Sequence, residues 1–282
     1  MWLESYCQVS GFWSFESEGF MKKWLLSGLV LGMFGHAQAG TIYASYTDSQ
    51  RGVTVRDENL TQSAFLPMTF APGAIGDGEG DTFYTLSKNN IYHYDKDGQE
   101  LAHFAWGDST IKYTGVALHG VNIYVTYTGS QTGISVRNAE TLEQSDVFPT
   151  PFAPSAIALD DDGLIYLAAR NHLYKYSNDG QLLVDMTFPE SGINYSGIAV
   201  KGGKVYAAYN GSQRGFTVRD AQLEQENFVE TDFSPTGIAA GDSNDVYLST
   251  KDNLYRYSVD GQQLKKMNFP RITYTGVAFD GQ

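Results

Sequence analysis

From residue 40 onward apolar and polar residues alternate in short runs bounded by Gly, Asp and Asn, and nothing keeps the roughly 3.6-residue spacing of a helix. Short strands are expected throughout. The run at residues 43–57 returns at 124–138 and 206–220, with Ser49, Ser130 and Ser212 spaced 81 and 82 apart, and Arg56, Arg137 and Arg219 likewise. A finer repeat lies beneath it. A strand of aliphatic or Phe followed by Tyr occurs at Tyr43, Tyr84, Tyr124, Tyr166, Tyr206 and Tyr247, at intervals of 41, 40, 42, 40 and 41. Before most of these comes a small-residue strand, Gly-Ile-Ala or a variant, centred on Ile75, Val116, Ile157, Ile198, Ile238 and Val277. A period near 41 with four short strands per unit predicts an all-β chain, a six-bladed β-propeller of four-stranded blades.

Within a unit, strand a is the small-residue strand and strand b the Tyr strand. Strand c carries alternating aromatics, as in residues 91–95, 173–177 and 254–258, and strand d follows Asp97-Gly98, Asp179-Gly180 or Asp260-Gly261. Asp-Gly between alternating runs is a strong hairpin signal. The repeat starts on strand b at Thr41-Ile42-Tyr43 and ends on strand a at Gly276-Val277-Ala278-Phe279, so one blade is expected to be built from both ends. Closure of that kind removes exposed sheet edges. The loop from b to c is three residues longer in alternate units, which implies a two-blade period and pseudo-threefold symmetry.

The Gly-Ile-Ala, Ile-Tyr, Leu-Tyr-Lys-Tyr and Asp-Gly-Gln-Leu series resembles the NHL-repeat and six-bladed TolB-like propellers across residues 40–282. The resemblance implies the fold. It leaves function open, because such propellers serve as lactonases, lyases, sugar dehydrogenases and binding platforms. Gluconolactonase-like members gather Glu, Asn and Asp at channel-facing strand starts to hold a divalent ion. Here those starts are Ala-Pro-Gly, Tyr-Thr-Gly, Ala-Pro-Ser, Tyr-Ser-Gly, Ser-Pro-Thr and Tyr-Thr-Gly. No catalytic residue, metal ligand or cofactor is therefore expected, and a channel-site hydrolase or lyase is kept as the alternative.

The first 39 residues change the compartment. Met21-Lys22-Lys23, the apolar run 24–34 and Ala37-Gln38-Ala39 read as a signal peptide at 21–39, with residues 1–20 as a mis-called upstream extension. The alternative, a membrane anchor, needs about 20 apolar residues. Cleavage would remove the only cysteine, Cys7, and leave 17 basic against 29 acidic side chains, a net charge of −12. A periplasmic or secreted monomer is expected, with no nucleic-acid partner and no membrane insertion.

The candidate contact residues fall on the loops from b to c and from d to a, which share one propeller face. The long loops carry Ser49-Gln50-Arg51, Ser130-Gln131 and Ser212-Gln213-Arg214; the short ones carry Lys88, Arg170 and Lys251, with His172 where Asn90 and Asn253 stand in the other copies. Tyr113, Tyr195 and Tyr274 precede alternate a strands and are expected as a stacking ring on that face. The set suits a glycan, a small anionic ligand or an envelope or extracellular protein. The competing reading is an ancestral turn motif on a solvated rim, its cations paired with Asp48 or Asp252. Arg56, Arg137 and Arg219 are expected to be structural. The Asp-rich stretches at 95–98 and 160–163 read as turns, because an EF-hand would need further ligands that are missing.

Overall fold

The computed structural model describes residues 40–48, 50–188, 192–269 and 272–281. Residues 1–39, with the expected extension, signal and Cys7, lie outside them, as does Ser49. The described residues form twenty-four strands and no helix, arranged as six antiparallel sheets of four. Blade one combines Thr41–Asp48, Gly52–Arg56 and Gln62–Pro67 with the last strand, Ile272–Asp280, in the order last-first-second-third. Its seam pairs Thr41 with Asp280 and Tyr43 with Ala278. Blades two to six occupy residues 74–105, 112–149, 156–187, 193–230 and 237–268. The closure expected from the sequence is present.

Small residues on strand a let six strands crowd round the axis. A Cβ on Gly115 would meet the Ile157 backbone at 3.1 Å, and one on Gly197 the Ile238 backbone at 3.0 Å. Hydroxyls stitch these strands together. Thr275 donates to Pro72 O (2.8 Å), Thr114 to Pro154 O (2.8 Å), Ser155 to Tyr195 O (3.2 Å) and Thr236 to Tyr274 O (3.2 Å), each onto the next blade. Thr114, Ser196 and Thr275 are the extra residues of β-bulges, which re-aim a side chain out of the pleat. Two of the six places lack the stitch: Gly73 has no hydroxyl, and the Ser196 Oγ has no partner.

Joints between blades alternate in kind. From blades one, three and five to their successors the packing is aromatic, with Phe70–Tyr92, Phe152–Tyr174 and Phe233–Tyr255 stacked at 4.1, 4.0 and 4.0 Å. The other three joints hold a buried arginine each, Arg56, Arg137 or Arg219. Each donates to the carbonyl of a buried leucine in left-handed conformation, Leu60, Leu142 or Leu223, at 2.7–2.8 Å, and to Gln62, Gln144 or Gln225. Arg137 also lies over Phe104 at 3.7 Å and Arg56 over Phe269 at 4.6 Å. The arginines are thus structural, each serving a carbonyl of its own blade's turn, with Arg56 and Arg137 also covering a ring across the blade gap, and none has an ion-pair partner among the described residues. Burial lowers the pKa of Arg56 and Arg137, but a guanidinium keeps its proton in proteins.

Candidate functional site

The expected stacking ring of Tyr113, Tyr195 and Tyr274 is overturned. Their relative exposures are 6, 2 and 0%, and they belong to the cores of the arginine joints. The bulge after each tyrosine extends its strand and turns the ring inward. The Tyr195 hydroxyl lies 3.5 Å from Arg219 Nη2, and Tyr274, beside Arg56, is pushed up to about 12 by burial against the lowering effect of the guanidinium. These rings hold blades together and offer nothing to a ligand.

What remains on the loop face is a set of exposed cations, interspersed with the carboxylates of Asp48, Asp108, Asp232 and Asp252. Arg51, Lys88, Arg170, Arg214 and Lys251 are exposed, and among the described residues none forms an ion pair. Asp48 and Asp252 form no ion pair with them among the described residues: Asp48 accepts from Thr273 (2.5 Å) and Asp252 from Asn253 (2.5 Å). The backbone beneath the three short-loop cations is fixed. Lys88 O, Arg170 O and Lys251 O accept Tyr113, Tyr195 and Tyr274 N–H at 2.8, 2.6 and 3.2 Å, and Lys88 and Arg170 sit at φ of 53° and 52°. Each cation therefore leaves the rim from an anchored position, related to the others by the two-blade repeat.

The polar loop residues divide. Gln50, Ser130, Gln131 and Ser212 are exposed, and Ser130 donates to Asp108 at 2.7 Å. Hydrogen bonds from Thr110 and Ser130 hold the Asp108 carboxyl below its usual range. Gln213 is half-buried, its Oε1 without a partner. His172 is turned away from the rim, against expectation: its Nδ1 pairs with Asp185 (2.9 Å) and Thr187 on the outer strand while the ring stacks on Tyr174. Asp48 breaks the repeat, standing at φ 104° where Gly129 and Gly211 stand at 134° and 119°. A side chain in that region is strained.

A central channel of about 700 Å³ runs between the faces. Its loop-face mouth is the Ser and Thr ring, its middle a belt of Ile75, Val116, Ile157, Ile198, Ile238 and Val277, and its far end includes Asp77, Asp161 and Lys201. Ser196 is the unpartnered hydroxyl, yet no histidine or carboxylate among the described residues bonds to it, so nothing activates it as a nucleophile.

The Asp-rich turns spend their carboxylates locally. Asp95 Oδ1 accepts Asp97 and Gln99 N–H, and Asp160 Oδ1 accepts Asp162 and Leu164 N–H. Among the described residues no three His, Cys, Asp or Glu side chains converge to hold a metal ion.

Sequence reasoning missed one group, at the seam. Asp77 stands where the equivalent turns have Leu159 and Ala240, and Asp280 where they have His119 and Lys201. Crowding by protein pushes the Asp77 carboxyl up to about 6, and burial raises Asp280 as well. Tyr43, fully buried, has a hydroxyl with no partner; burial pushes it up, and the Asp280, Asp81 and Asp77 carboxylates push it further. Departure from the repeat at two places was the signal available in the sequence.

No family model matches the chain, and no curated protein does. Among solved structures 1370 chains match. One is the crystal structure of a protein of unknown function from Bacteroides caccae, at TM-score 0.67 and 12% identity, covering 86% of this chain and 100% of that one. At that identity the likeness concerns the fold alone. It agrees with a six-bladed propeller and leaves the NHL and TolB-like resemblance a matter of fold.

Proposed function

We propose that the chain is an exported, non-catalytic binding propeller of NHL or TolB-like kind that recognises an anionic partner through the loop face bearing Arg51, Lys88, Arg170, Arg214 and Lys251. The observation carrying this reading is that these five cations are exposed and unpaired on one face of a protein of net charge −13. An acidic protein has abundant carboxylates for neutralising surface cations. Five left without a close partner keep their guanidinium and ammonium donors available to a glycan carboxylate or the acidic patch of an envelope protein. Charge complementarity of that kind steers association and sets specificity. The polar loop tips, Gln50, Ser130, Gln131 and Ser212, supply donors and acceptors beside the charges.

The channel as a hydrolase or lyase site is the weaker reading. Its loop-face mouth presents hydroxyls committed to neighbouring carbonyls, and the one uncommitted hydroxyl, at Ser196, has no base beside it.

Capture from a cell-envelope extract tests the proposal. The immobilised protein should retain a partner that elutes with rising salt, and Lys88→Glu, Arg170→Glu and Lys251→Glu combined should abolish retention while the circular dichroism spectrum stays unchanged. Equal retention by the triple variant would remove the loop face from consideration.

A further inference from the structure

The joint between blades two and three departs from the repeat several times over. Phe104 and Trp106, on and just after the outer strand of blade two, stand where blade four has Met186 and Phe188 and blade six has Met267 and Phe269. The turn after Arg137 is one residue longer than those after Arg56 and Arg219, so its leucine carbonyl lies five residues on instead of four. Ser135 replaces Thr54 and Thr217, which accept the Arg56 and Arg219 Nε–H, and the Arg137 Nε has no partner. These changes meet at one opening. Phe104, Trp106, Arg137 and the lengthened turn at residues 141–144 line a groove of about 450 Å³. Small-molecule sites run to ~300–1,000 Å³. None of the loop-face cations lines this groove, so an inference about it is independent of the proposed function.

The lining selects a class of ligand. Arg137 lies over Phe104 at 3.7 Å and donates to Leu142 O and Gln144, so a buried guanidinium fixes the ring and the turn together. Gln144 Oε1 accepts from both Arg137 and Ser135, which leaves the amide N–H groups to donate elsewhere. Glu143 is exposed, in no ion pair among the described residues, and supplies acceptors. One guanidinium and one carboxylate give the lining no net charge, which favours neither an anion nor a cation. Half-buried indole and phenyl rings beside an acid and an amide suit a sugar, whose C–H face stacks on an aromatic ring while its hydroxyls donate and accept.

We propose that this groove binds a neutral saccharide, with one sugar ring stacked on Trp106 and its hydroxyls bonded to Glu143 and Gln144.

Titration calorimetry on the full chain tests this, with cellobiose, maltose, lactose and diacetylchitobiose as neutral probes and indoleacetate as an aromatic anion. At least one disaccharide should bind. Phe104→Met combined with Trp106→Phe restores the residues of the sister joints, and with the circular dichroism spectrum unchanged should weaken that disaccharide at least about tenfold, as loss of a stacked indole implies. Glu143→Gln, which keeps the shape and removes the charge, should weaken it several-fold. The combined Lys88→Glu, Arg170→Glu and Lys251→Glu variant should bind it as the parent does, which separates the groove from the loop face. The inference is overturned if none of the disaccharides binds, whether or not indoleacetate does, if both the repeat-restoring variant and Glu143→Gln bind as tightly as the parent, or if the loop-face variant loses the disaccharide.

Discussion

Replacing Asp77 by asparagine should make the protein more stable at neutral pH, and the gain should vanish in acid. The carboxyl is raised from 3.8 to about 6, because the cost of losing hydration, with the nearby Asp280 carboxylate added, outweighs the help of a backbone N–H and Lys201. The sign follows from proton binding. Between about pH 4 and pH 6 the folded state holds the Asp77 proton while the unfolded chain has released it, so stability falls as pH rises through that window. Above it the cost is fully present. A shift of roughly two units at about 1.4 kcal/mol each gives an upper figure near 3 kcal/mol. Asp77 keeps some surface on the channel and part of its shift comes from the Asp280 carboxylate, which leaves roughly 1–3 kcal/mol. Asparagine keeps the shape and discards the charge. At about 2–4 °C per kcal/mol for a domain of this size, Tm should rise by roughly 2–12 °C at pH 7.5 and by almost nothing at pH 4. Thermal unfolding followed by circular dichroism at several pH values measures it. An equal gain at both pH values, or no gain at pH 7.5, would refute the reasoning.

Two further outcomes follow from the joints and the ring. Arg137→Lys should lower the urea midpoint by an amount equivalent to about 1–3 kcal/mol, since a single ammonium cannot serve the buried Leu142 carbonyl, Gln144 and the Phe104 face together. Thr275→Val should cost about 1 kcal/mol by removing the stitch to Pro72, whereas Ser196→Ala, which removes a hydroxyl without a partner, should change the midpoint by a few tenths at most.

The architecture was legible because a repeat multiplies each weak signal. Asp-Gly turns, Tyr strands and small-residue strands each recur at the same interval, and the first and last strands complete one blade. The tyrosines were misplaced for a local reason: Tyr-Thr-Gly reads as a loop before a strand, and only the bulge at Thr114, Ser196 or Thr275 carries the strand back through the tyrosine. Their alternation in step with Arg56, Arg137 and Arg219 held the clue, because a buried guanidinium needs aromatic and carbonyl company. His172 departed from the repeat for a partner on its own sheet, Asp185. A departure from the repeat is visible in sequence, but the presence or absence of its partner depends on three-dimensional neighbours.

The proposed binding rests on the exposed loop-face cations acting as a positive patch on an acidic protein. Chromatography on immobilised heparin at low ionic strength tests it directly, since a chain with pI near 4.7 has no general reason to adhere to a polyanion. The account predicts retention, release by moderate salt, and loss of retention in the combined Lys88→Glu, Arg170→Glu and Lys251→Glu variant; passage of the parent protein straight through the column would contradict it.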